Sequence, residues 1–179
     1  MSETIDTLLA KSEIRDVLGR YCRSMDRFDA ELLASVYHED ALDEHGLPGE
    51  DGTAAWFRAN VFAVLGAWES TQHFLGNSMV VVDGERADVE SYVIALHVGR
   101  PDASGARTLD TVGARYVDRF ERRDGAWRIA HRIVVADWRE TRPFHHVVSR
   151  RETGRRDRDD AVYRAPGLPA DVPWSSWTG

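Results

Sequence analysis

Several ring side chains able to move protons fall in segments with strand character, and four of them are grouped by strand alternation on candidate inner faces. The four are His73 in TQHFLGN, His97 in SYVIALHV, Tyr116 in ARYVDRF and His131 in RIAHR. An imidazole changes charge near neutral pH, and a phenol can donate to a developing oxyanion, so such rings facing one another suit general acid–base chemistry. Strand alternation puts Thr71, His73, Leu75, Asn77, Met79 and Val81 on one face. It groups Val89, Ser91, Val93, Ala95 and His97 on the next strand, and Ala114, Tyr116, Asp118 and Phe120 on the third. On the fourth it groups Trp127, Ile129, His131, Ile133, Val135 and Asp137. Placed on one side of one sheet, the three imidazoles and the phenol converge in a largely apolar concavity. The plainer reading of each histidine is a core residue satisfied by one hydrogen bond.

Other chemistries are less well supported. The stretch HEDALDEH, His38 to His45, holds two histidines and four acids, but its spacing fits no ligand pattern. No metal is expected. The lone cysteine, Cys22, excludes an internal disulfide and reads as a small buried hydrophobe. The glycines are dispersed and form neither a phosphate loop nor a dinucleotide fingerprint, and no cofactor is expected.

The elements that position these residues divide into two halves. Apolar residues from Ile5 to Met25 recur three or four apart, which predicts an amphipathic helix, interrupted near Ser12. Asp29 is placed to cap a second helix over Ala30 to Tyr37, and a third fits TAAWFRANVFAVLGAW. Ala41–His45 reads as a short strand. Strands then follow over Thr71–Val82 and Glu85–Val98, joined by Asp83-Gly84, and over Thr108–Arg122 and Trp127–Trp138, joined around Asp124-Gly125. Helices followed by a long antiparallel meander predict an α+β fold.

The chain has 179 residues, 42% of them hydrophobic, which fits one domain with a sizeable core. Residues 1–140 read as that domain. Residues 141–179 read as an irregular tail whose arginine-rich run is solvated or salt-bridged, and whose Trp174 and Trp177 dock on the body or a neighbour. No apolar run is long enough to cross a membrane, and no signal peptide is recognisable, so a cytoplasmic protein is expected. A net charge of -7 argues against nucleic acid or an anionic membrane as partner.

Four stretches together resemble the SnoaL-like branch of the NTF2-like superfamily: IRDVLGRYCRSMDRFDAELL, YHEDA, TQHFLGN and ARYVDRFERRDGAWRIAHR. The family includes dehydratases and a dehydrochlorinase. The resemblance implies a cone, with N-terminal helices packed in the concavity of a strongly curved, mainly antiparallel sheet. It implies a catalytic pair, Asp26 and His73, the histidine taking a proton from a substrate carbon and the aspartate holding its tautomer. By the same resemblance Tyr21, Met25 and His97 line the substrate pocket, and alternation adds Tyr116 and His131. Met25 stands where one dehydratase carries a catalytic tyrosine, which speaks against the same substrate. The implied activity is a cofactor-free, dehydratase-type lyase acting beside a carbonyl of a small hydrophobic cyclic or polyketide-like molecule. Phe62, Leu75, Val93 and Ile129 would form the apolar walls. An isomerase or cyclase shares the first step, and a non-catalytic scaffold shares the fold. A homo-oligomer is implied, a trimer rather than a dimer.

Overall fold

The computed structural model describes residues 3–145 and 154–164. Trp174 and Trp177 lie outside the described residues. Helix α1, Ile5–Arg27, starts at Thr4, whose hydroxyl accepts from the Thr7 backbone N–H at 3.2 Å. It runs through Ser12 without a break. Its buried stripe begins at Ala10, while Ile5, Leu8 and Leu9 stay exposed because the first two turns project past the core. Helix α2 is short, Ala30–Ser35, and is capped by Asp29, which accepts from the Leu32 N–H at 3.0 Å. Helix α3, Ala54–Leu65, is capped by Thr53.

Five strands form one sheet in the order β1-β5-β4-β3-β2. They are β1 Tyr37–Glu44, β2 Trp68–Asp83, β3 Arg86–Gly99, β4 Arg107–Arg123 and β5 Ala126–Phe144. β1 runs parallel to β5, and the other pairs are antiparallel. β1 is longer than Ala41–His45 and begins where Tyr37 pairs with Ile129. The turn after β4 has Asp124 at φ 52 and Gly125 at φ 78, the left-handed pair that a tight two-residue hairpin needs. β5 does not stop at Trp138, where the apolar alternation fades, but stays paired with β4 through Phe144.

Register shifts bend this sheet and change which residues face inward. Between Leu75 and Ser78, β2 has one residue more than its partner segment Val93 to Ser91. In β5, Ala130 is extra against Phe120 and Arg119, and Asp137 is extra against Ala114 and Gly113. Each such bulge flips the alternation and increases the local twist. Met79 and Val81 therefore point outward, 60% and 67% exposed, and Val80 points in. In β5, His131 and Ile133 turn outward and Arg132 turns in. α1 and α3 close the concave side, where Ile14, Leu18, Phe57, Val61, Val93, Phe120 and Ile129 share one core. Burying an apolar side chain of this size contributes about 1.5–3 kcal/mol.

Candidate active site

Asp26 lies in the last turn of α1, and His73 on β2, the edge strand that α1 covers. The Asp26 carboxylate accepts from three donors: His73 Nδ1 at 2.7 Å, the His73 backbone N–H at 2.9 Å and the Thr71 hydroxyl at 3.1 Å. A carboxylate can only accept, so Nδ1 carries a proton, and in the neutral ring Nε2 keeps its lone pair. The two side chains are 7% and 11% exposed, His73 first. They line a cleft of about 960 Å³. α1 contributes Cys22 and Asp26 to this cleft, β2 contributes His73 and Leu75, and the segment after β5 contributes Asp160 and Val162. Burial pushes the Cys22 thiol up to about 12, so it is no thiolate nucleophile at neutral pH.

His97 reaches the same corner from β3, edge-on to His73 with ring centroids 6.0 Å apart and flanked by Trp68 at 5.4 Å. Burial, and then the neighbouring His73, push the His97 imidazole down from 6.5 to about 4, and Asp110 offsets this only in part. Its Nδ1 has no hydrogen-bond partner among the described residues. The unfolded chain therefore takes up a proton at His97 below its ordinary value that the folded chain refuses. Stability should fall as pH drops from 6.5 toward 4, by at most about 3 kcal/mol from this group. His97→Gln should flatten that part of the profile. Urea midpoints that fall equally in both proteins across this window would contradict it.

The remaining sequence candidates do not gather at the cleft. Tyr21 and Tyr116 meet edge-on at 5.4 Å deep in the cone, and burial raises both phenols above their ordinary value. Met25 is 2% exposed, in the core. His131 belongs to the opposite, convex side of the sheet, where it donates to Glu44 at 2.7 Å. The bulge at Ala130 is the reason, since strict alternation would have turned it inward. Of the expected apolar walls, Leu75 lines the cleft, Phe62 stacks on Phe28, and Val93 and Ile129 are core residues.

Against both rings lies Arg132, which the sequence reading passed over. Its guanidinium is fully buried, 4.1 Å and 4.0 Å from the two ring centroids, and holds Asp118 through two bonds of 2.7 Å. Burial opposes its charge, but Asp118 outweighs burial and raises the guanidinium above its ordinary value. Beyond Tyr21 lies a second Asp–His pair. The Tyr21 hydroxyl donates to His45 Nε2 at 2.9 Å, His45 Nδ1 donates to Asp43, and the Tyr37 hydroxyl donates to Asp43 at 2.5 Å. Phe57 stacks on His45 at 4.1 Å. In the HEDALDEH stretch Asp40, Asp43, Glu44 and both imidazoles are engaged in hydrogen bonds or ion pairs, and no group of three metal-binding side chains forms among the described residues.

A SnoaL-like domain profile matches residues 6–133. The uncharacterised protein Rv2910c of Mycobacterium tuberculosis is 32% identical over 122 residues, spanning 68% of this chain and 81% of its own length. Among solved structures, a hexachlorocyclohexane dehydrochlorinase of type 2 superposes with a TM-score of 0.67 at 21% identity, over 82% of this chain and 97% of that one. The type 3 dehydrochlorinase of Novosphingobium barchaimii gives 0.63 at 22% identity, over 81% and 98%. At these identities the likeness to the solved structures is one of fold. With the profile covering most of the chain, the protein belongs to the SnoaL-like domain family.

Proposed function

We propose that the protein is a cofactor-free lyase of dehydratase type. His73 Nε2 takes a proton from the carbon beside a carbonyl of a small hydrophobic cyclic or polyketide-like substrate. The electron pair left behind forms the new double bond as the hydroxyl on the next carbon departs. The imidazolium then returns its proton to that hydroxyl, and water leaves. Asp26 fixes the tautomer and faces the imidazolium with a negative charge. The observation that carries this reading is the Asp26–His73 pair itself, its carboxylate held by three donors at the wall of a cleft. A purely structural pair has no need to lie at the wall of a ligand-sized space. The dehydrochlorinases that share the fold also remove a small acid from a ring, as their name states.

A panel of cyclic β-hydroxy ketones in D2O tests the reading. The expected result is enone formation by the wild type, slowed by about 10²-fold or more in His73→Ala. Exchange of the α-proton without loss of water would replace the lyase by an isomerase. Turnover by His73→Ala at the wild-type rate would end the catalytic reading.

We infer further that the protein is a homo-oligomer, a trimer rather than a dimer. The convex side of the sheet carries Met79, Val81, Tyr92 and Ile94, which are 60%, 67%, 49% and 40% exposed, and a patch of that kind asks for cover. A monomer mass by light scattering at micromolar concentration would sink this.

A further inference from the structure

Segment 154–164 lies beyond the family-matched residues, yet its side chains converge on the end of α1 that carries Asp26. Asp160 faces Arg27 at 3.5 Å, and Arg27 donates to the Asp26 backbone carbonyl at 3.1 Å. The Tyr163 hydroxyl donates to Asp29 at 2.7 Å. Between these contacts, Arg156 lies over the ring of Phe28 at 4.3 Å, and Phe28 stacks on Phe62 at 5.0 Å. Phe28 is the C-cap of α1 and sits in the left-handed region at φ 55. For a residue with a side chain that conformation costs about 1–2 kcal/mol, so its surroundings must hold it. Arg156 Nη1 also donates to the carbonyls of Leu65 at 3.2 Å and Trp68 at 2.8 Å. Leu65 ends α3, and Trp68 opens the strand that bears His73.

One guanidinium therefore joins the turn just after Asp26 to the start of the strand bearing His73. Its Nε and Nη2 are buried without an acceptor among the described residues. Leaving donors unsatisfied costs about 1–3 kcal/mol each, which a guanidinium free to turn to water would avoid. Burial, with Arg100 and Arg27, holds its guanidinium below the ordinary arginine value, and Asp26 is the neighbour that opposes this.

We propose that Arg156 is a positioning residue for the Asp26–His73 pair, setting the distance between α1 and β2 and adding a positive charge near the carboxylate. The hydrogen bond of the pair spans two elements, so its length follows how their ends are held. A misplacement of about 1 Å at reacting groups can cost about 10²-fold in rate. The segment after β5 would then complete the site.

Proton NMR tests this without a substrate. His73 Nδ1–H, bonded to Asp26, should give a low-field signal that disappears in Asp26→Asn. His45 Nδ1–H, bonded to Asp43, should give a second one, which serves as a folding control. In Arg156→Met the His73 signal should shift or broaden while the His45 signal stays. Arg156→Lys, which keeps a cation, should restore part of the change. An unmoved His73 signal in Arg156→Met overturns the role, and so does equal loss of both signals, which marks general loosening. The catalytic consequence rests on the lyase reading: kcat should fall by about tenfold or more with KM little changed. A fall in kcat with the His73 signal unmoved would place Arg156 on the substrate instead and overturn the positioning role. Failure of the lyase reading shows separately, in His73→Ala, and leaves the NMR result standing.

Discussion

His73→Ala should slow turnover by about 10²–10⁴-fold, the usual cost of losing a general base. Asp26→Asn should come close to it, although the two side chains have the same shape. The wild-type carboxylate accepts on both oxygens, Oδ1 from Thr71 and His73 Nδ1, and Oδ2 from the His73 backbone N–H. An amide has one oxygen. With that oxygen at the Oδ1 position, its NH2 group meets the backbone N–H, donor against donor. Flipped, the NH2 group meets Nδ1, which must then accept, and the proton moves to Nε2, where the base is needed. Either arrangement breaks part of the pair, and neither supplies a charge for the imidazolium. Residues that act as one unit are far from additive, so the double variant should be little worse than the worse single one. Rate losses that multiply, in proteins of unchanged thermal stability, would mean that the two side chains act separately and that the pair is a structural contact.

Much of this arrangement is legible in the sequence because it is periodic. The stripe from Ala10 to Met25, the capping Asp29 and the two tight hairpins each depend on residues close together in the chain, and local rules find them. What periodicity cannot show is a bulge. An extra residue at Ala130 leaves the pattern WRIAHRIVVADW unchanged to the eye, yet it exchanges His131 for Arg132 on the inner side. Gly76, the one glycine of β2, is the nearest thing to a local signal for the bulge that turns Met79 and Val81 out. The roles of Asp43 and His45 were hidden for a different reason. Tyr21 comes from α1, Tyr37 lies six residues from Asp43 along β1, and a short acidic run looks the same whether it holds a metal or a phenol. Arg156 was harder still. Inside RRETGRRDRDD nothing in the sequence distinguishes the arginine that lies over Phe28 from its neighbours Arg155 and Arg158, because the distinction lies wholly in the surface it meets.

Arg132→Met should be among the most destabilising single changes in this chain. It leaves the Asp118 carboxylate, 3% exposed, without the partner that holds it through two bonds. Breaking a buried ion pair from one side typically costs about 3–5 kcal/mol, because the remaining charge is left without compensation. Two desolvated contacts with aromatic rings are lost as well, those to Tyr21 and Tyr116, and such contacts are worth up to about 2 kcal/mol each. Against a total domain stability of about 5–15 kcal/mol, this is a large share. Asp118→Leu should be comparably harmful, since it strands the guanidinium against the two phenols. The pair Arg132→Met with Asp118→Leu removes both charges, so neither is left buried without compensation. It should therefore be milder than either single change, a coupling opposite to simple addition. Urea unfolding of the four proteins, with midpoints compared at constant slope, measures the cycle. If the double variant loses the sum of the two single losses, Arg132 and Asp118 contribute as independent packing groups, and the ion pair against the tyrosines does not organise the interior of the cone.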